Sequence, residues 1–462
     1  IALGSSTGAQ RLSMGLSPRD KYEAGLEMIF GYVPKDEKQK ALHESLRKAG
    51  GRPSFREIYL AVTGDYGFTG RIDEEFLQEA TVAALPNLLN NVMTKSMVAK
   101  YQELPDLTEG LCTYNENLVD FKTYQKVQWW GFGRIPTVAE GAAYADLGIG
   151  GEELTSYSAT KRGGKVVLTI EMIANDNLNQ FRDIPRELAI AARNEYHFFF
   201  FSLLNGTSLG GAINSDTVYD STVIYHANHR NTSASAISYA ALKSARLRLR
   251  QQYRRGTKTT ITDNPLTNSA TTINFASTTG LKTKDYIQLE AEIIKIGTVA
   301  SATQCTGCTR AQLGTTAAQH ATATTSYQLS QPVPLSKVHL VIPDDIEMDV
   351  DDLLGSEKIP GSLNNDRNLF YYEMKAGRYF MHVVPQMYLG SASAWYQVAD
   401  PAERPGIEVA FLNNKRDPEV FLADQPTVGN MFSNDQLEYK VRHVYTGAVC
   451  DPFALDGNGA NL

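Results

Sequence analysis

The spacing of apolar and polar residues predicts helices in the first part of the chain and strands in the last. In the first part, apolar side chains return at intervals of three and four residues, as one buried helical face requires. From residue 394 onward, short β-rich runs are separated by turn residues, which is typical of strands. Residues 1–17 show neither pattern and are expected to form a flexible arm. The predicted early helices are 35–48, 54–62, 73–85 and 87–101.

A long polar hairpin that leads into one helix lies between these two parts. Strand-like segments at 126–132 and 157–173 flank a stretch of glycine, alanine and acidic residues with almost no large apolar side chains. Such a hairpin cannot form a core of its own, so we expect it to lie on a neighbouring surface. The helix is predicted over 184–205, because Asp183 suits an N-cap, Pro185 suits the first turn and an Asn-Gly pair ends it.

The composition changes abruptly after this helix. An amphipathic helix is predicted over 238–255, with Arg246, Arg248, Arg250, Arg254 and Arg255 mostly on its outer face. Residues 256–332 are rich in Thr, Ala and Ser and predict an inserted small all-β domain. Its predicted strands are 271–275, 286–289, 293–297 and 324–329. The β-rich run 337–342 and an acidic helix over 343–354 follow.

Composition limits the classes of function. The 462 residues have 42% hydrophobic and 21% charged residues, which is ordinary for a folded protein of two or three domains. A net charge of −7 argues against a nucleic-acid binder held by phosphate contacts over its whole surface. No apolar run reaches the ~20 residues needed to cross a bilayer, and no signal peptide is visible, so we expect a soluble protein with no membrane partner. Four scattered cysteines favour a reducing compartment.

Three groups of side chains contain residue types that can bind metals or carry redox chemistry. Cys305 and Cys308 have the spacing of half a zinc site, but the nearest histidine leaves the set incomplete, so free thiols or a local disulfide are favoured. His226 and His229 are expected to be exposed or satisfied by hydrogen bonds rather than metal ligands. The acidic run 344–352 lacks the glycine and terminal glutamate of a calcium loop and is expected to be a solvated helix face. We predict no catalytic residue, no metal and no cofactor.

Several segments of the chain, kept in order, resemble the major capsid proteins of tailed double-stranded DNA bacteriophages, which have the Hong Kong 97-type fold. The similarity is closest to capsid modules encoded behind a head-maturation protease. The segments that carry the resemblance are LPNLLNNVMTKSMVAKYQELP (85–105), LVDFKTYQKV (118–127), VAEGAAY (138–144), the run from SYSATKRGG to FFFFSLLNG (156–206), LVIPDDIEMDVDDLL (340–354), SASAWYQVADPAERPGIEVAFLN (391–413) and LEYKVRHVYTGAVCD (437–451).

The resemblance implies an α+β fold divided in the way of that family. An N-terminal arm and short helices would precede an extended loop, the E-loop, which feeds the spine helix 184–205 of a peripheral (P) domain; an axial (A) domain would carry the inserted all-β domain. The implied boundaries are 1–125 for the arm and helices, 126–165 for the E-loop, 166–206 and 391–462 for the P domain, 207–255 and 333–390 for the A domain, and 256–332 for the insertion.

The resemblance also implies a function, partners and contacts. The protein would self-assemble through pentamers and hexamers into an icosahedral virion shell around dsDNA, which it would contact weakly and nonspecifically, and would be assembled in the host bacterial cytoplasm. Portal, scaffold or protease, and optionally a decoration protein, would be further partners. Residue 1 is Ile, which is compatible with the maturation cleavage that the resemblance implies. The expected assembly contacts are Trp129, Trp130, Glu140, Glu152, Glu153, Lys161 and Arg162.

Two other functions remain open at the level of sequence. A bacterial nanocompartment shell, similar to the encapsulins, has the same fold but encloses enzymes rather than a genome. A glycan-binding or adhesin β module carried on a scaffold is an alternative of another class, and it depends on residues 256–332 alone.

Overall fold

A computed structural model shows a protein of the α+β class, as the sequence predicts. The structure describes residues 18–48, 84–129, 135, 137–144, 152–169, 178–207, 212–332, 335–362, 366–423 and 436–459. The predicted arm 1–17 and the predicted helix 54–62 lie outside these ranges, as does nearly all of the predicted helix 73–85.

The α-helices of the described residues agree closely with the apolar pattern in the first part of the chain. They are α1 (Pro18–Ile29), α2 (Glu37–Lys48), α3 (Ala84–Glu103), α4 (Leu178–Asn205), α5 (Tyr239–Arg250), α6 (Glu347–Gly355), α7 (Leu369–Lys375) and α8 (Gln386–Leu389). The predicted helices 35–48 and 87–101 correspond to α2 and α3 and are confirmed within a few residues.

Strands are numbered in chain order, and those after residue 394 confirm the β-rich C-terminal part. They are β1 (Thr113–Asn115), β2 (Tyr124–Trp129), β3 (Glu152–Tyr157), β4 (Thr160–Thr169), β5 (Thr232–Ser233), β6 (Tyr253–Thr260), β7 (Ile273–Asn274), β8 (Tyr286–Leu289), β9 (Glu292–Lys295), β10 (Thr298–Ser301), β11 (Gln304–Thr306), β12 (Thr325–Pro332), β13 (Val338–Pro343), β14 (Tyr379–Val384), β15 (Trp395–Ala399), β16 (Ile407–Phe411), β17 (Glu419–Ala423), β18 (Gln436–Val449) and β19 (Leu455–Asn458).

The chain forms two compact units, each made of three segments. The first unit comprises Ile1–Asp106, Thr160–Tyr196 and Phe411–Tyr445. In it β18 pairs antiparallel with both β17 and β4. Its core combines residues of α1, α3 and α4 with residues of β17 and β18, among them Leu26, Met93, Ala189 and Tyr439. Burial of these side chains holds the helices against the strands.

The second unit comprises Leu107–Ala159, His197–Ala410 and Thr446–Leu462. Its main sheet has the order β14-β13-β15-β19-β5, with β13 and β14 parallel and β15 antiparallel to β13. Helices α5, α6 and α7 contribute to the same core as this sheet, whose largest fully buried side chain is Trp395. The apolar face of each of these helices is therefore buried against the sheet.

Residues 256–332 contain strands and no helix, as predicted. Strands β6, β12, β8 and β9 form one sheet, and β10, β11 and β7 form another. The apolar residues between them, including Ile273, Phe275 and Ile294, make a separate core cluster. The strand predicted at 286–289 is reproduced by β8, and β9 and β12 overlap the strands predicted at 293–297 and 324–329.

Three boundaries differ from the sequence predictions. Helix α4 begins at Leu178, so Asp183 and Pro185 are interior residues rather than an N-cap and a first turn. The helix predicted over 238–255 ends at Arg250, and the chain continues as β6 from Tyr253. The hairpin pairs β2 with β3, whereas the residues of β4, predicted as its second arm, pair with β18.

Candidate assembly surface

The hairpin base formed by β2 and β3 has one face turned toward the rest of its unit and one exposed face. The strands are antiparallel, with Val127 opposite Leu154 and Tyr124 opposite Tyr157. Because side chains alternate along a strand, Tyr157 is buried at 7% exposure while Val127 and Leu154 are 52% and 49% exposed. The inner face is thus fixed within the chain, and the outer face presents an apolar pair to solvent.

A buried carboxylate anchors the inner face. Glu408 lies in β16 and is 5% exposed. The Tyr157 hydroxyl donates to one of its oxygens, and Lys126 forms an ion pair with the other. Asn115 Nδ2 also donates to Glu408, at 3.2 Å, and to the Tyr157 hydroxyl oxygen, at 2.8 Å. One carboxylate therefore holds a residue from each strand of the hairpin and a residue of β1.

The surroundings of Lys126 and Tyr157 fix the protonation states of these two side chains. Burial alone would lower the pKa of Lys126, but the hydrogen bond to Glu408 and nearby negative charge outweigh burial and raise that pKa above its ordinary value. Burial, followed by the hydrogen bond to Glu408, raises the pKa of Tyr157 far above its ordinary value. Tyr157 therefore stays a neutral donor at every physiological pH, and Lys126 stays charged.

A second ion pair joins the hairpin to the all-β residues 256–332. Lys258 Nζ in β6 lies 3.1 Å from Glu153 Oε1 in β3. The Glu153 side chain is only 10% exposed, whereas Lys258 is 43% exposed. A further hydrogen bond joins residues 256–332 to the rest of the unit, because Gln288 Nε2 in β8 donates to the carbonyl of Asn228 at 2.7 Å. The insertion thus braces the hairpin of its own chain.

Exposed apolar side chains concentrate around this hairpin. Seven of the twelve large apolar residues that are exposed in the described part of the chain fall between 119 and 154, which is a small fraction of its length. They are Val119, Phe121, Val127, Ile135, Val138, Tyr144 and Leu154. Of these, Val127 and Leu154 are directly opposite one another, so the hairpin is a candidate surface for contact with another protein.

The structure distributes the residues predicted as assembly contacts over both units. Trp129 and Glu152 are opposite one another at the end of the β2–β3 pair, and Glu140 is exposed in a turn. Glu153 is buried and paired with Lys258 rather than exposed. Trp130 lies outside the described residues.

The other two predicted contacts, Lys161 and Arg162, lie in β4 of the first unit. Lys161 is exposed, opposite Val444. Arg162 donates to the Tyr445 carbonyl at 3.0 Å, stacks on the Tyr445 ring at 4.3 Å and lies 3.4 Å from Glu195. Arg162 therefore contributes to packing inside its own unit.

Two of the expected arginine positions are corrected by the structure. Arg246 and Arg255 were predicted on a mostly solvent-facing stripe, but they are 6% and 3% exposed. Arg246 forms an ion pair with Glu373, and Arg255 stacks on Tyr327 at 3.8 Å. Arg255 is buried because its segment is a strand of the insertion and not the end of a helix.

The two cysteines and one of the two histidines that the sequence offers as metal ligands are buried inside the second unit. Cys305 and Cys308 are free and buried in the core of the insertion. His229 is fully buried, with Nδ1 2.9 Å from the Ile224 carbonyl and Nε2 2.8 Å from Asp220. Within the part of the chain that the structure describes, no cluster of three or more histidine, cysteine or acidic side chains has the arrangement of a metal site. Likewise, no described helix combines the length and hydropathy of a membrane span.

A sequence model of the family "Phage capsid protein" matches residues 152–271 and 247–455, which together are more than half of the chain. The chain belongs to the phage capsid protein family. It is therefore a structural protein of the virion rather than an enzyme, and the prediction of a major capsid protein is confirmed over the adhesin alternative. Capsid proteins act by self-association, so the exposed hairpin face is a candidate contact surface of this capsid protein.

Solved structures similar to this capsid protein are distant. The capsid asymmetric unit of cyanophage Pam1 is 9% identical with a TM-score of 0.38, covering 76% of this chain and 89% of that chain. The Mycobacterium phage Bobi structure is 11% identical with a TM-score of 0.37, covering 77% and 89%. A virus-like particle from Pyrococcus furiosus is 10% identical with a TM-score of 0.34, covering 79% and 98%. Similarities this low add nothing to the family assignment. No curated protein sequence matches the chain.

Proposed function

We propose that this capsid protein is the self-assembling subunit of an icosahedral dsDNA phage shell with the Hong Kong 97-type fold. The observation that carries the proposal is the two-faced hairpin: its inner face is tied to Glu408, and its outer face exposes Val127 and Leu154. In the assembled shell this outer face lies on an adjacent copy of the chain. The division into arm, E-loop 126–165, P domain, A domain and inserted all-β domain belongs to the same proposal.

The energy of such a shell comes from repeated modest contacts. Fully burying a Val or Leu side chain contributes about 1.5–3 kcal/mol, so covering the half-exposed Val127 and Leu154 contributes roughly 1 kcal/mol each. Exposed ion pairs at the shell surface would add only ~0–1 kcal/mol each. Each subunit makes these contacts with more than one neighbour, so removing one subunit breaks several interfaces together.

A partner set and a location follow from this function. The chain would associate with itself in pentamers and hexamers, and with a portal and with a scaffold or protease during assembly in the host cytoplasm. Packaged dsDNA would make weak contacts, consistent with a net charge of −7, because a strongly basic inner surface would retain the genome during ejection. A decoration protein is a further, optional partner.

Electron microscopy of the purified chain and of the native particle tests the proposal. The expected result is closed shells tens of nanometres across, with nuclease-protected dsDNA in native particles. Native shells that hold a packaged enzyme and no genome would instead identify a nanocompartment. A chain that stays monomeric in every condition where related shells form would refute self-assembly.

The role of the hairpin has its own test. Val127→Asp with Leu154→Asp should abolish shells without unfolding the subunit, because both side chains are half exposed. Val33→Asp with Leu247→Asp is a matched control that should assemble normally, since these two apolar residues are 78% and 54% exposed and lie outside the hairpin. Normal assembly of the first variant would exclude the apolar pair as a contact.

A further inference from the structure

The second unit has opposite charges at the two ends of a pair of parallel strands. Strands β13 and β14 are in register from Val338 opposite Tyr379 to Pro343 opposite Val384. Each has six residues, so at ~3.3 Å per residue the two ends lie roughly 20 Å apart. Groups that precede both strands share one end of the sheet, and groups that follow both strands share the other.

The end at which both strands begin carries exposed cations. Lys337 precedes β13 and Arg378 precedes β14, and the Val338 amide donates to the Arg378 carbonyl at 3.0 Å. Lys375 ends α7, and Arg250 ends α5. All four of these cations are exposed.

Two of these cations act on the buried Arg246. Burial, followed by the positive charges of Arg250 and Arg378, lowers the pKa of Arg246 to about 10. Arg250 and Arg378 therefore both lie within electrostatic range of Arg246. Neither forms an ion pair within the described part of the chain.

Three acidic groups at this end are engaged inside the chain. Glu373 forms the ion pair with Arg246. Glu403 accepts a hydrogen bond from the Ser336 amide at 2.7 Å, and Asp400 lies 3.6 Å from His339. The exposed Glu357 also interacts with Lys375, so the excess of positive charge at this end comes from Lys337, Arg250 and Arg378.

The end at which both strands finish is acidic. Asp344 and Asp345 follow β13 directly, and Glu347 and Asp349 follow in the first turn of α6. Neither 338–357 nor 379–399 contains a lysine or arginine. The Gln386 amide donates to Asp344 at 2.8 Å, which joins the chain after β14 to this acidic segment.

An open groove with exposed methionines lies at the same acidic end. Its volume is about 440 Å³, and it is lined by Asp344, Asp345, Pro385, Gln386 and Met387. Met387 is 63% exposed and Met348, on α6, is 77% exposed. The acidic end thus combines negative charge with apolar side chains that are available to a partner.

We propose that the acidic end of one subunit docks on the basic end of the next copy, head to tail, within a ring of subunits. A contact between two different ends of the same chain is heterologous, and repeating it generates a closed ring when the rotation per subunit divides the circle. Charge complementarity fixes which end meets which, because like ends repel. The occupant of the groove is therefore a second copy of this chain. This inference rests on the proposed shell function.

Charge reversal at each end, made in the full chain, tests the contact. One variant carries Asp345→Lys and Asp349→Lys, a second carries Arg250→Glu and Arg378→Glu, and a third carries all four changes. Each two-residue variant should lower the assembled fraction by about tenfold or more at low salt, because the contact then joins like charges. The four-residue variant should regain assembly, because its ends are again opposite in sign.

Controls separate this contact from folding and from the shell function. Glu44→Lys, on exposed α2 of the other unit, is a single-charge control that should assemble as wild type, and circular dichroism should show all variants folded. Added salt should slow assembly of the wild type but improve it for the two-residue variants. The charged contact would be overturned if the two-residue variants assembled normally, or if the four-residue variant folded but failed to assemble. In either case, shells formed by the wild type would still support the proposed function. A wild type that forms no shells would instead refute the function itself.

Discussion

Replacing Glu408 by alanine should release the hairpin from the body of its unit. The change leaves Lys126 without its counter-ion and the Tyr157 hydroxyl without an acceptor, whereas the Asn115 amide keeps only its hydrogen bond to the Tyr157 oxygen. Removing one partner of a buried ion pair costs about 3–5 kcal/mol, because the other charge stays in a poorly solvated place. The expected loss of stability is in the lower part of this range, about 3 kcal/mol, because the Lys126 side chain is 29% exposed and therefore partly solvated.

The loss of stability is expected to affect the hairpin first and the rest of the unit less. A two-stranded hairpin is marginal by itself in water, so strands β2 and β3 depend on this anchor for their protection. A loss of about 3 kcal/mol corresponds to roughly a hundredfold faster exchange of their backbone amides. Hydrogen exchange followed by mass spectrometry would measure it, with the amides of the β13–β15 core as the internal reference. Shell yield should fall in parallel.

Glu408→Gln is the matched variant, because it keeps an acceptor for Tyr157 and removes only the charge. It should lose about 1–2 kcal/mol, between the wild type and the alanine variant. The Lys126 pKa is raised in the folded state, so its stabilisation is complete below the ordinary lysine pKa and is lost as the pH rises through the higher folded value. Unchanged exchange in Glu408→Ala would show that the cluster does not hold the hairpin.

Three further outcomes can be measured on the same protein. Lys258→Met should leave the Glu153 carboxylate buried without a partner and raise exchange in β3, whereas Lys258→Arg should restore protection. Arg310→Ala should destabilise the insertion by about 3–5 kcal/mol in urea titrations, since Arg310 holds the buried Glu292 bidentately at 2.8 and 2.6 Å. Burial alone would raise the Glu292 pKa, but its hydrogen bonds lower that pKa to about 2, so their stabilisation is present at neutral pH and is lost as the pH falls toward 2. Burial raises the pKa of the Cys450 thiol to about 12, so maleimide should label it only after denaturation, and rapid labelling of the native protein would contradict its burial.

Much of the fold follows from the sequence because local signals and tertiary packing agree there. The helix predicted at 35–48 and the strand predicted at 286–289 both match, since their apolar periods are clear and turn residues bound them. Helix α4 begins six residues before the predicted start at 184, because a proline such as Pro185 usually marks the first turn of a helix. A proline inside a helix removes one hydrogen bond and costs about 3 kcal/mol or more, which the extensive packing of this 28-residue helix offsets.

The anchor of the candidate surface was missed, although the sequence contains a signal for it. Glu408 interrupts the apolar run Ile407–Phe411, and a lone carboxylate in a buried strand requires polar partners. Its partners Lys126 and Tyr157 are more than 250 residues away in sequence, so only the fold brings them together. The break between β3 and β4 was also invisible, because strand propensity continues across it while the pairing partner changes.

The two faces of the hairpin have different roles: the inner face is bonded to its own chain, and the outer face is proposed to contact a neighbouring subunit. Polar groups such as Glu408 and Lys258 fix the inner face within the chain, so the outer face is ordered before assembly. A preordered surface loses less conformational entropy on contact, and the modest apolar area of Val127 and Leu154 then suffices when it is repeated over a shell. The two faces should therefore separate experimentally: Glu408→Ala should slow assembly by loosening the hairpin, while Val127→Asp with Leu154→Asp should prevent assembly with hairpin exchange in the monomer unchanged. If both sets of variants altered monomer exchange alike, the outer face would be part of the fold and not of the interface.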